Sequence, residues 1–258
     1  MNALKYFVVD NGTHKALELK KKLISILGKW KFDAENPQYI FVLGGDGTLI
    51  GSLVRFNNLC AKIVAISAGN FGFFSSFNEK NLAHFISKVS RDINYQKILL
   101  LKLRWDGNNF LAVNDVVLDF SLASKVDLFI NNQCLERCWN SGFIFSTPLG
   151  STGINKSAMG AVVCPLLDCW SFAELNPIAT ARFSSLRNPF LLPSNATVTL
   201  KGVIGDPNFS LIIDGVKQQN NFASNSLTIC CERSKSELFF SWKLEEYVKK
   251  IRRLYVRK

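Results

Sequence analysis

The sequence is poor in the residues on which hydrolytic and metal chemistry usually depend. It has two histidines, His14 and His84, in 258 residues. A His-based hydrolase or metalloprotease is hard to assemble from that set, and His84, in NLAHFISKV, reads as a helix-surface residue. No CxxC pair occurs among the seven cysteines; Cys134/Cys138 and Cys164/Cys169 are four and five residues apart and do not suit a structural zinc site. The odd cysteine count argues for free thiols in a reducing compartment. Long charge-free apolar runs are missing too, and MNALKYFVVD does not read as a signal peptide, so a soluble cytoplasmic protein is expected. Acidic residues are the scarcer charge, and the formal net charge is +11. That balance is compatible with nucleic acid, an anionic membrane or phosphorylated small molecules, and also with lysines on solvated helix faces such as 20–22.

What is present has two textures. Residues 6–10, 39–43 and 63–66 are short apolar runs that read as buried strands. Between them, Ala16, Leu19, Leu23, Ile26 and Leu27 form one stripe of a helix closed by Gly28. Leu49, Ile50, Leu53, Val54 and Phe56 suit the start of a second helix. A third is expected over 79–91 through Leu82, Phe85, Ile86 and Val89. Strands alternating with helices imply βαβ units and a parallel sheet. From about residue 97 the pattern changes to strands and tight turns. Expected strands are 97–105, 110–120, 126–130, 133–139, 143–146, 196–200, 210–213, 216–218 and 226–231, with turns at 106–109, 131–132 and 214–215. Residues 241–258 read as a basic helix with Leu244, Tyr247, Val248 and Ile251 on one side and a solvated charged end. The expected fold is an α/β N-terminal domain (1–97, joined by 241–258) with a Rossmann-like parallel sheet, and a β-rich domain (98–240).

Two stretches carry chemistry. In YIFVLGGDGTLIGSL the apolar strand ends in Gly44-Gly45-Asp46-Gly47-Thr48. Ligands of open α/β sheets bind at the carboxyl ends of the strands. The glycines can take positive φ and put no Cβ in a ligand's way, and their N–H groups can receive phosphate oxygens. Asp46 does not suit a pure phosphate cradle. It suits a general base for a hydroxyl that attacks phosphorus, or a site for Mg²⁺. The alternative is an Asp-Gly turn with Thr48 capping the helix. In the second stretch, residues 145–157, Ser146, Thr147, Ser151 and Thr152 cluster around Pro148 and can line a polar pocket. Its GSTGINKS is not a P-loop, because Asn155 stands where the second glycine belongs. Asn114-Asp115 interrupts an apolar run; Asn114 can read an adenine edge and Asp115 can accept from ribose hydroxyls or an amine. Asp214-Gly215 needs no more than a hairpin turn.

In order and spacing, GGDGT at 44–48, GNFGFF at 69–74, the Asn-acid pair at 114–115, STPLGST at 146–152 and DG at 214–215 resemble the NAD kinase family. The resemblance implies phosphorylation of the 2′-hydroxyl on the adenosine ribose of NAD. It implies ATP or polyphosphate as donor, a divalent metal such as Mg²⁺, and no dedicated protein metal site. It implies Asp46 as base or metal-organising carboxylate, Asn114 and Asp115 on the adenosine, and Thr147 and Gly150–Thr152 along the nucleotide pocket. Gly44, Gly45, Gly47, Thr48, Asn70, Phe71, Ser141 and Asp214 join the binding set. A homodimer or homotetramer, with no membrane or nucleic-acid partner, is implied as well, as is a C-terminal helix returning to the first domain. The chain departs from the family pattern at Asp115, where Glu is usual, at Ser141 in place of an acid, and at Gly153-Ile154 in place of alanine-tyrosine. Two other readings stay open: a GGDGT-type lipid kinase, favoured by the positive charge, and a nucleotide- or nucleic-acid-binding protein without catalysis.

Overall fold

The computed structural model describes residues 3–69, 72–75, 77–82, 84, 89, 95–180, 182–183, 185–202, 209–219 and 224–256. Two compact units emerge, one of residues 1–98 with 234–258, the other of residues 99–233.

The first unit is built on parallel strands. β1 (Lys5–Asp10) lies between β2 (Lys31–Phe32) and β3 (Tyr39–Gly44), and β3 pairs with β4 (Lys62–Ser67). All six residues of β3 are buried, which matches an apolar run with both faces covered. The edge of β4 is shared by β5 (Phe77–Asn78) and by Glu237–Phe239 at the end of a long later strand, both parallel to it. Helix α1 (His14–Leu27) starts at Thr13, whose hydroxyl accepts from the Ala16 N–H at 3.3 Å, and ends at Gly28 with φ +51°. It buries Ala16, Leu19, Leu23 and Leu27 in the cluster that holds Phe41, Leu43 and Val64. Ile26, read as part of that stripe, is at its edge and 37% exposed.

Helix α2 (Asp46–Arg55) begins at the glycines and buries Leu49 and Leu53. Of the helix expected at 79–91, residues 83, 85–88, 90 and 91 lie outside the described set. Glu79–Asn81 forms a 3-10 turn, Leu82 and Val89 are buried and His84 is exposed. The C-terminal helix is Leu244–Tyr255, and its packing differs from the expected stripe. Tyr247 is buried, whereas Leu244 and Val248 are 52% and 54% exposed. Tyr247 and Phe240 pack edge-on or tilted against Phe73 of the first unit, at 6.0 and 6.4 Å between ring centroids.

The second unit is antiparallel. β6 (Tyr95–Trp105) returns as β7 (Asn108–Ala112) through Asp106-Gly107, and β8 (Asp115–Ile130) returns as β9 (Gln133–Ser146) through Asn131-Asn132. β10 (Cys169–Leu175) and β11 (Phe190–Pro193) extend the β9 edge; neither was expected from the sequence. On the other side β8 pairs with β12 (Thr197–Lys201) and with β13 (Ser210–Ile213), which turns at Asp214-Gly215 into β14 (Val216–Lys217). β12 pairs in turn with β15 (Ser226–Phe239). All three two-residue turns have positive φ at both positions, 50° and 76°, 47° and 66°, 48° and 79°. That is the twist-matched geometry Asn and Gly favour in hairpins.

The separate runs expected at 110–120, 126–130, 133–139 and 143–146 are regrouped. The first breaks at Val113-Asn114; the others join into two long strands carrying a bulge between the Asp119/Gly142 and Ser124/Asn140 pairs. Gly142 sits there at φ +142°, and an added Cβ would lie 1.9 Å from the Leu118 carbonyl oxygen. Only glycine fits. Trp105, Phe143, Phe145, Trp170 and Phe172 form the core, and the two indole N–H groups donate to Ser224 and Pro193 carbonyls at 2.8 and 3.1 Å.

Candidate active site

The GGDGT segment lies at the carboxyl end of β3, with Gly44 opposite Ser67 at the end of β4. Gly45 is the N-cap of α2, and Asp46, Gly47 and Thr48 form its first turn. None of the three glycines takes positive φ. Their use is space. Gly45 and Gly47 are exposed with nothing among the described residues within 4 Å of an added Cβ, and a Cβ on Gly44 would meet the Thr48 hydroxyl at 2.5 Å. Thr48 does not cap the helix, because the N-cap is Gly45, which makes no side-chain cap bond; Thr48 packs on Gly44 instead. The free N–H groups at this terminus and the aligned peptide dipoles favour an anion.

Asp46 is half-buried and held at both oxygens. Phe73 N–H donates to Oδ2 at 2.9 Å and Phe74 N–H to Oδ1 at 3.2 Å. The close approach depends on Gly72, where a Cβ would fall 2.4 Å from Oδ1. Each oxygen keeps a further lone pair for a substrate proton or a hydrated cation. The loop that fixes the carboxylate is the GNFGFF segment, of which Asn70 and Phe71 lie outside the described residues.

In the second unit, Asn114, Asp115, Thr147, Gly150 and Asp214 are brought together by a dense set of bonds. The Asp214 carboxylate accepts the N–H groups of Val113, Asn114 and Asp115 at 2.9, 2.7 and 3.1 Å, and its own N–H donates to the Asp115 carbonyl at 3.0 Å. The Asp-Gly turn alone therefore does not account for Asp214; it pins the break between β7 and β8. Asp115 is 5% exposed. Burial first, then the Asp214 charge, push its carboxyl up to about 7. Burial raises Asp214 as well, and the three amide N–H groups it accepts oppose that rise. Beside Asp115 in sequence, Asn114 Oδ1 is buried with no hydrogen-bond partner among the described residues. An orphaned buried acceptor is unusual in a folded core.

The hydroxyls of STPLGST differ from the expected pocket lining. Thr147 Oγ1 donates to Val113 O at 2.6 Å and accepts from Gly150 N–H at 3.1 Å. Ser151 Oγ bonds Pro148 O and Val163 O at 2.7 and 3.1 Å, and Val163 N–H donates back at 2.9 Å. Both side chains are buried and hold their own loop, not an open pocket. Gly150–Thr152 is a 3-10 turn, with Gly150 pressed on Asn114: a Cβ would lie 2.1 Å from the Asn114 carbonyl oxygen. Asn155 Nδ2 bonds Ser151 O and Ala161 O at 3.3 and 3.0 Å, which gives its departure from a P-loop a structural role. Ser141 is half-buried at the β9 bulge, five positions from the Asp115 pairing partner Ser146 and so roughly 17 Å along the strand.

Sequence reasoning missed Lys250. Its Nζ donates to Phe73 O at 3.0 Å and lies 3.9 Å from the Phe240 ring centroid. The basic tail hid it as one more solvated lysine, although its i+3 spacing from Tyr247 puts it on the buried side of the helix. Glu136, Cys138 and Glu174 also converge, with ligand atoms within 4.8 Å of one another. Ser185 Oγ and Asn140 Nδ2 already donate to Glu174, at 2.6 and 2.7 Å. A buried thiol held high by burial is a poor match for Mg²⁺.

The units define a class first: a two-part fold of a parallel α/β unit with a glycine-rich strand-to-helix turn, and a β-rich unit with a polar loop. Residues 10–93 match the family model of the ATP-NAD kinase N-terminal domain. The protein of Mycoplasma genitalium named NAD kinase is 29% identical over 98% of this chain and 99% of its own length. That of Mycoplasmoides gallisepticum, also named NAD kinase, is 26% identical over 97% and 94%. Yeast NADH kinase, solved in complex with NADH, superposes with a TM-score of 0.81 at 20% identity over 100% of this chain and 89% of that one. An NAD kinase from Archaeoglobus fulgidus in complex with ATP gives 0.76 at 20% identity over 96% and 99%. At that identity the two structures speak for the fold. Residues 10–93 thus match the family's N-terminal domain, and along almost its whole length the chain is similar to proteins named NAD kinase.

Proposed function

We propose that the protein is an NAD kinase that transfers the γ-phosphoryl group of ATP to the 2′-hydroxyl of the adenosine ribose of NAD, giving NADP and ADP. The observation that carries this reading is Asp46, a carboxylate fixed by two backbone amides at a helix N-terminus that is open to an anion. Asp46 takes the 2′-hydroxyl proton as that oxygen bonds to the γ-phosphorus, and the bond to the bridging oxygen of ADP breaks. The N–H groups around Gly45 and Gly47 receive phosphate oxygens, which exposed glycines leave uncovered. Asn114 Oδ1 accepts from the adenine amine, and Asp115 binds the adenosine through its carboxyl. Thr147, Gly150, Ser151, Thr152 and Asp214 shape that pocket through the backbone. Ser141 stands toward the nicotinamide half without a charge.

The free lone pairs of Asp46 fit a hydrated Mg²⁺, which uses one or two carboxylates together with phosphate oxygens. Such an ion would neutralise charge on the transferring phosphoryl group. Residues 1–97 with 241–258 then serve as the phosphoryl-transfer domain and 98–240 as the NAD-binding domain. The reading places the enzyme in the cytoplasm as a homodimer or homotetramer. Leu122, Met159 and Val216, at 75%, 84% and 62% exposed, are apolar surface that a second copy could cover. The relatives named NAD kinase, matched along almost the whole chain, favour this reading over a lipid kinase.

The test is NADP formation by the purified protein with NAD, ATP and Mg²⁺, with polyphosphate as a second donor arm. Asp46→Asn is expected to lower kcat by about 10²-fold or more with little change in NAD affinity. Absence of NADP with every donor and metal overturns the reading.

A further inference from the structure

Lys250 is joined to Asp46 through a single peptide group. Its Nζ donates to the carbonyl oxygen of Phe73, and the N–H of that same peptide, carried by Phe74, donates to Asp46 Oδ1. Hydrogen bonds arranged in such a chain polarise one another, so an ammonium on the carbonyl strengthens the N–H as a donor. We propose that Lys250 is a positioning residue for the phosphoryl-transfer step, holding the Phe73-Phe74 peptide in place and polarising it toward the Asp46 carboxylate. The proposal rests on the reading of Asp46 as the base.

Several features separate this contact from an incidental surface bond. Lys250 lies against the Phe240 ring, which favours a cation, and Tyr247 one turn earlier packs on Phe73. The other charged residues of the helix that line the same cavity of about 310 Å³ are Glu246, Lys249 and Arg253. Lys249 is engaged with Glu246 at 2.6 Å, whereas Lys250 donates to Phe73. Burial pulls the Lys250 ammonium down to about 8, with Asp46 and Glu246 pushing back. The charged groups facing it are therefore Asp46 from α2 and Glu246, Lys249 and Arg253 from its own helix. The contact is intact with the ammonium charged and weakens as pH rises through about 8.

The experiment compares wild type with Lys250→Met, Lys250→Gln and Lys250→Arg, reading steady-state kinetics and amide hydrogen exchange at Phe73 and Phe74. Lys250→Met is expected to lower kcat about tenfold or more with the NAD KM within about twofold, and to speed exchange at Phe74 about tenfold. Lys250→Gln, kept as the milder variant should Met disturb folding, shows the same kcat loss. Lys250→Arg is expected to retain kcat and protection, and to remove a decline in kcat expected of wild type above about pH 8. Wild-type kcat and Phe74 exchange in the neutral variants overturn the proposal, as does a loss that Arg fails to rescue. If wild type makes no NADP, the functional reading fails, while the exchange arm still decides whether Lys250 holds the peptide.

Discussion

Asp115→Asn tests the electrostatics of the nucleotide half directly. The Asp115 carboxyl is 5% exposed, faces the Asp214 charge and sits at about 7. In the unfolded chain it titrates near 3.9. Between those values the folded protein binds a proton that the unfolded chain has lost, so stability falls as pH rises through the window. From pH 5 to pH 8 this one group removes about 3 kcal/mol, and the full separation of the two values sets a ceiling of about 4 kcal/mol. Asparagine resembles the protonated carboxyl in shape and stays neutral, so it carries no such loss. The assay is urea unfolding of both proteins at pH 5, 6, 7 and 8 without nucleotide. With a urea slope of about 2 kcal/mol per M, the midpoint difference between wild type and variant should move by about 1 M or more across that range. Comparing the two proteins cancels the remaining titrating groups. Asp214→Asn should shrink the wild-type slope, since it removes the like charge. Parallel midpoints for wild type and Asp115→Asn from pH 5 to 8 would refute the argument.

Two further outcomes follow from the polar loop. Ser151→Ala leaves the buried Val163 N–H without its acceptor, which should cost about 1–3 kcal/mol in thermal or urea unfolding while NADP formation persists in the folded fraction. Gly150→Ala forces a Cβ to within 2.1 Å of the Asn114 carbonyl oxygen. Overpacking of that kind against backbone should cost about 1–3 kcal/mol and raise the NAD KM, because Asn114 must move; calorimetry with NAD titration reads both.

The sequence by itself determined the parts whose cause is local. An apolar strand stopping at three glycines set the β3–α2 turn, Thr13 and Gly28 bounded α1, and Asp-Gly and Asn-Asn pairs set the hairpins through their tolerance of positive φ. It also singled out Asn114-Asp115, because two polar residues in an apolar run need partners. Tertiary structure decided how the backbone of that pair is held, while Asn114 Oδ1 has no partner among the described residues. Asp214, about a hundred residues away in sequence, binds three amides at the β7–β8 break, and no local pattern distinguishes that carboxylate from an ordinary turn residue. The hydroxyls of STPLGST have the composition of a pocket wall, yet Thr147 and Ser151 are consumed by carbonyls brought to them by the fold. β10 and β11 escaped notice because their stability comes from pairing with β9, not from alternation along their own residues. Lys250 shows the same division: its charge is written in the chain, but its burial against Phe240 and its hold on Phe73 exist only when the C-terminal helix docks. Backbone preferences act within a few residues and can be read in order; hydrogen bonds and burial between distant residues depend on which surfaces folding brings together.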